Sequence, residues 1–85
     1  MIRIAYTPSF IKQTKILEAG VFEKVVWKIK LFKNPKNHKM LKVHKLHGRL
    51  KDFHAFSVNH HLRIIFEYVG KSEVLLHDIG GHEIY

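Results

Sequence analysis

The sequence predicts an α+β domain in the order β-α-α-β-β-β, an antiparallel sheet with a two-helix hairpin packed on one face. Three observations carry this prediction. Apolar residues recur at helical spacing in two neighbouring stretches, Phe10 to Glu18 and Val21 to Lys33. A period-two hairpin runs from Phe53 to Tyr68. A further apolar run, Glu73 to Ile79, follows after a turn. The chain has 85 residues, enough for a single domain spanning 1–85 with one core.

Residues 1–6 alternate weakly, Ile2, Ile4 and Tyr6 against Arg3 and Ala5, and predict a strand. Thr7-Pro8-Ser9 stops it. Thr7 or Ser9 can cap the next helix, and Pro8 is tolerated in its first turn. In that helix Phe10, Thr14 and Leu17 share a face, with Ile11 beside it. Ala19-Gly20 is the expected C-cap. The second helix should bury Val21, Val25, Ile29 and Phe32, with Phe22 and Val26 widening the stripe. Trp27 and Leu31, four apart, form a second partial stripe. Asn34-Pro35-Lys36-Asn37 ends the helix, because proline pushes the residue before it out of the helical region.

A basic connector follows, carrying Lys36, Lys39, Lys42, Lys45, Arg49 and Lys51, with a turn expected at Gly48. The hairpin comes next. If Asn59-His60-His61 form its loop, Val58 opposes Leu62, Phe56 opposes Ile64 and His54 opposes Phe66. Directly opposed residues share a face, so Phe56, Val58, Leu62, Ile64 and Phe66 then lie together. A two-residue loop would pair Phe56 with Arg63 and scramble the faces, so the odd loop is preferred. The other face carries Phe53, Ala55, Ser57, Arg63, Ile65 and Glu67. Arg63 is expected mid-strand there, with little else to bury. Gly70-Lys71-Ser72 makes a second turn. In the last strand Val74, Leu75 and Leu76 are consecutive, so periodicity assigns them no faces. Gly80-Gly81 ends it before a short tail.

Fifteen Lys plus Arg against seven Asp plus Glu give a net charge of +8, with eight histidines uncounted. That density on a short chain points to a polyanionic partner, nucleic acid first, against the plainer reading of a solvated basic face. At 46% hydrophobic the chain is expected to fold rather than remain disordered. Cysteine is absent, which excludes disulfides and thiolate metal sites. The start lacks the apolar stretch of a signal peptide, and no run reaches the roughly 18 apolar residues of a membrane span. A cytoplasmic protein without membrane contact is expected. No HExxH, P-loop or dinucleotide glycine pattern occurs, and no cofactor or metal is expected.

The basic face with its histidines suits RNA cleavage by internal attack of a ribose 2′-hydroxyl. That reaction needs a base at the hydroxyl, a cation for the charge developing on phosphorus, and an acid for the leaving oxygen. Imidazole can serve as acid or base near neutral pH, and guanidinium grips phosphate oxygens while staying protonated. His61, Arg63, His82 and Tyr85 are the candidates, with His44 from the connector. Arg63 has a plainer alternative, a strand-surface ion pair with Glu67 or Asp78.

The segment HKLHGRLKDFHAFSVNHHLRIIFEY, followed by VLLHDIGGHEIY, resembles the C-terminal half of RelE/ParE-superfamily toxins, in particular the YafQ-like and YoeB-like RelE branch. The shared features are a His-x-Leu-x-Gly element, an arginine-bearing middle strand and an Asp-Ile-Gly-x-His tail ending in an aromatic. The first half matches only in element order. The resemblance implies a toxin of a bacterial toxin–antitoxin module that cleaves mRNA on the ribosome without a metal, and a small antitoxin protein as partner. It implies that His44 is the connector histidine, Arg63 the phosphate-binding arginine, His82 the tail histidine and Tyr85 the terminal aromatic. His61 falls near a position where YafQ-like toxins carry an acidic residue. Gly81 replaces the usual threonine, and Ser57 stands where those toxins have a second histidine. Lys39, Lys42, Lys45, Arg49 and Lys51 are expected to hold ribosomal RNA phosphates. Trp27 and Leu31 are open to two readings, an antitoxin groove or partial burial. Two other functions share the fold: a ParE-like inhibitor of DNA gyrase that cleaves nothing, and a degenerate member that only binds its antitoxin or nucleic acid.

Overall fold

In a computed structural model, which describes residues 1–81 and Ile84, Thr7 separates the first strand from the first helix. Strand β1 spans Arg3–Tyr6 and helix α1 spans Pro8–Lys15. The Thr7 hydroxyl accepts from the Phe10 amide at 3.0 Å, which satisfies one of the helix's orphan donors. The same hydroxyl donates to the His77 carbonyl at 3.0 Å, tying the cap to the last strand. Gln13 adds a second tie: its amide nitrogen donates to Asp78 at 3.2 Å and its oxygen accepts from the Ile79 amide at 2.9 Å.

Helix α2 spans Ala19–Phe32. The first helix therefore ends three residues earlier than its pattern predicts, and Ala19-Gly20 open the second helix instead of capping the first. Val25, Ile29 and Phe32 are buried as expected. Phe22 and Val26 do not widen the stripe; they lie exposed, as does Trp27 at 57%. Leu31 packs against the core. Only one arc of α2 meets the sheet, so residues a quarter turn away stay in solvent. Asn34 is extended as its proline neighbour requires, and its side chain accepts from the Lys36 amide.

The connector contributes a short strand that periodicity does not reveal, β2 at His44–Lys45. Strands β3 (His54–Ser57), β4 (Arg63–Gly70) and β5 (Glu73–Gly80) complete a five-stranded sheet. Its order is β1-β5-β4-β3-β2. The β2-β3-β4-β5 part is antiparallel. β1 adds parallel to β5, because the two helices carry the chain over the sheet before it returns.

The hairpin register is the one the apolar pattern predicts. His54 pairs with Phe66, Phe56 with Ile64 and Ser57 with Arg63. Asn59 closes the loop by accepting from the amides of His61 at 2.7 Å and Leu62 at 2.8 Å. Phe56, Val58, Ile64 and Phe66 join Phe10, Val25, Ile29, Phe32 and Leu41 in the main core. Phe32 lies at its centre, stacked on Phe56 at 4.4 Å and edge-on to Phe66 at 4.8 Å. A bulge in β5 between the partners of Ile65 and Phe66 leaves His77 outside the ladder. Val74 and Leu76 face the core and Leu75 is half-buried.

The second face of the hairpin is less open than the sequence implies. Leu46, Ala55 and Ile65 form a small buried cluster there, with Leu50, Phe53 and Ile84 packed against it. Arg63 begins β4 instead of standing in mid-strand. The connector thus covers the middle of this face, and Arg63 sits at its hairpin-tip end.

Candidate nucleic-acid interface

Face parity brings the first part of the site together. His44 pairs with Ala55, and Ser57 pairs with Arg63, so all four side chains emerge on the face opposite the helices. The Leu41 carbonyl accepts from the Ser57 amide at 2.9 Å, which brings the turn before β2 against the hairpin tip. There a groove of about 520 Å³ opens. Lys24 and Lys28 from α2, Met40 and Lys42 from the connector, His44, Ser57, Asn59, His60 and Arg63 line it.

The groove is cationic, and among the described residues none that lines it is acidic. Glu67 and Asp78, the two carboxylates within reach of Arg63 in sequence terms, have other partners. Glu67 accepts from His77 at 2.9 Å and Asp78 from Gln13. Arg63 is half-buried in the lining of the groove. His44 is exposed on its rim, and its Nδ1 donates to the Lys42 carbonyl at 2.8 Å. Lys42 has φ of 58°, in the left-handed region that non-glycine residues seldom occupy.

A second groove of about 460 Å³ lies on the other side of His44, lined by Lys45, Leu46, His47, Arg49 and Leu50. His44 belongs to both, so β2 forms the ridge between them. The predicted basic residues therefore divide: Lys42 lines the first groove, Lys45 and Arg49 the second, and the exposed Lys39 and Lys51 neither of these two.

Of the predicted catalytic residues, His44 and Arg63 share the first groove. His61 is exposed beside it but is not in its lining, where His60 stands instead. His82 and Tyr85 lie outside the described residues. Lys24 and Lys28 carry no local signal of a role. One helical turn apart on α2, they read as a solvated helix face, and only the packing of α2 beside the hairpin tip exposes their contribution. Among the described residues no group of three histidine or acidic side chains is arranged to hold a metal, and no helix is long and apolar enough to cross a membrane.

His54 lies just behind this site, on the opposite face from its neighbour Ala55. It stacks on Phe66 at 5.6 Å and meets Tyr68 edge-on at 4.9 Å. Its Nδ1 is buried without a hydrogen bond. Desolvation holds its pKa below the ordinary histidine value, and the nearby Lys45 and His44 push the same way.

This α+β architecture, with its helix pair on one face of a five-stranded sheet, is the fold of the RelE/ParE-superfamily toxins. YafQ from E. coli strain BL21(DE3) superposes with a TM-score of 0.79 at 16% identity, over 99% of this chain and 97% of that one. YoeB in the heterotetrameric YoeB–YefM toxin–antitoxin complex from Staphylococcus aureus gives 0.75 at 16% identity, over 96% and 98%. The archaeal RelE–RelB complex from Pyrococcus horikoshii gives 0.73 at 12% identity, over 94% and 93%. No protein-family model matches the sequence. No curated protein matches it either.

Proposed function

We propose that this chain is the toxin of a toxin–antitoxin module and cleaves mRNA on the ribosome. The observation that carries the reading is the convergence of the basic side chains His44, Arg63 and Lys42 with Lys24 and Lys28 on one groove. Such a groove attracts a phosphodiester backbone, and the attraction weakens as salt rises. Its reactive groups match the demands of internal transesterification. A neutral imidazole takes the proton of the ribose 2′-hydroxyl, whose oxygen attacks the adjacent phosphorus. The Arg63 guanidinium stabilises the charge that develops on the phosphate oxygens. The bond to the 5′-oxygen breaks and that oxygen leaves with a proton from an acid. His44 or His60 serves as the base, with His61 nearby. His82 is proposed as the acid and Tyr85 as the ring that stacks on a base. Ribosomal RNA would occupy the second groove through Lys45 and Arg49, with Lys39 and Lys51 beside it.

YoeB and RelE, which share the fold, are each found in complex with a second protein, YefM and RelB. A small antitoxin is the corresponding partner proposed for this chain. The test is to express the protein with and without the neighbouring reading frame and to map mRNA 5′ ends. Growth arrest with codon-phased cuts, relieved by the neighbour, is expected. Arrest with DNA damage and intact mRNA would replace this reading with gyrase inhibition, and absence of arrest would reduce the chain to a binding module.

A further inference from the structure

We propose that the backbone carbonyl of Lys42, and not only its amine, is a positioning group: it holds neutral His44 in the Nδ1–H form, leaving Nε2 as a lone pair facing RNA. The inference rests on the reading of the first groove as a cleavage site, and of the two candidate bases there it takes His44. A carbonyl oxygen only accepts, so the ring nitrogen 2.8 Å from it must carry the hydrogen. A neutral imidazole has one N–H, so Nε2 is then the basic nitrogen. Among the described residues Nε2 has no hydrogen-bond partner.

The geometry that makes this contact is held from both sides. The Lys42 amide donates to the Lys39 carbonyl at 3.1 Å, and the Val43 amide donates to the His38 carbonyl at 2.9 Å. Leu41, the residue before, is 1% exposed and anchored in the main core. His44, two residues on, is fixed by its pairing with Ala55. Between these anchors Lys42 takes its left-handed φ of 58°, and its carbonyl meets the His44 ring. A lysine needed only for its charge requires no such backbone, and rare conformations of this kind persist only where their surroundings enforce them.

Two variants separate backbone from charge. Lys42→Gly and Lys42→Val both remove the amine. Glycine enters the left-handed region freely, whereas a β-branched residue resists it. Long-range proton–nitrogen NMR of the histidine-labelled full chain reads the His44 tautomer directly, without RNA. Nδ1–H is expected in the wild type and in Lys42→Gly, and its loss in Lys42→Val. On mRNA-programmed ribosomes, folded Lys42→Val should then cleave roughly tenfold or more slower than Lys42→Gly, because the general base is misassigned. Neutral His44 protonated at Nε2 in the wild type overturns the inference. So does a folded Lys42→Val chain that keeps the Nδ1–H form, or one that cleaves as fast as Lys42→Gly. A wild type that shows the Nδ1–H form and cuts no RNA overturns the cleavage reading instead, while the tautomer assignment stands.

Discussion

Ser57 and Arg63 are direct partners across the β3–β4 ladder, and both line the cationic groove at the hairpin tip. Their pairing sets a small side chain opposite the arginine in the lining of the groove. Arg63→Ala should therefore lower mRNA cleavage by about 10²–10³-fold, the usual loss when one donor to a transition-state oxyanion is removed. The check is growth without antitoxin, together with a thermal melt showing that the variant is folded. A folded Arg63→Ala protein that still arrests growth would sink the assignment.

The two loop histidines should behave differently. His60 lines the groove, whereas His61 contributes its backbone amide to Asn59 at 2.7 Å. His60→Ala should reduce cleavage more than His61→Ala does, and the latter should leave the loop intact because its amide remains. Rates of both variants on the same programmed ribosomes decide it. The reverse order would move the reacting centre to the outer side of the loop.

The helix lysines should act through phosphate. Removing Lys24 or Lys28 should weaken binding to single-stranded RNA of any sequence. Each lost contact should flatten the dependence of log affinity on log salt by about 0.7. Titrations at several salt concentrations measure the slope. An unchanged slope would exclude both lysines from the RNA path.

His54 should make stability depend on pH. Its folded pKa lies below the ordinary value of 6.5, so the unfolded chain binds the proton more readily. The neutral ring's contribution is fully present above 6.5 and is lost as pH falls from there through the folded value. His54→Phe keeps a ring on Phe66 and removes the titration. Denaturant midpoints of wild type and variant should diverge on acidification below 6.5, with the wild type losing more. Parallel curves would show that His54 does not titrate differently on folding.

Much of the hairpin was legible because parity is a local property. An odd loop at Asn59 to His61 aligns Phe56, Val58, Ile64 and Phe66, and a one-residue slip would send them all to solvent. Thr7 as a cap and Asn34-Pro35 as a helix end were legible for the same reason, since each depends on a few neighbouring dihedrals. The first helix's end was not. Ala19-Gly20 fits a helix stop as well as a helix start, and only the docking of α2 decides between them. Similarly, the consecutive Val74, Leu75 and Leu76 acquire faces only from the sheet and its bulge at His77.

By itself, then, the sequence determined the order of the first strand, the two helices and the last three strands, the hairpin register, the basic character of the connector and the presence of Arg63 on the face away from the helices. Tertiary structure decided that β1 joins β5 in parallel, that the connector supplies a strand carrying His44, and that His60 lines the groove. It also brought Lys24 and Lys28, far from Arg63 in sequence, to the same cationic groove. The physical reason is one of range. Periodicity and turn chemistry act over a few residues, whereas a groove exists only where segments distant in the chain pack side by side.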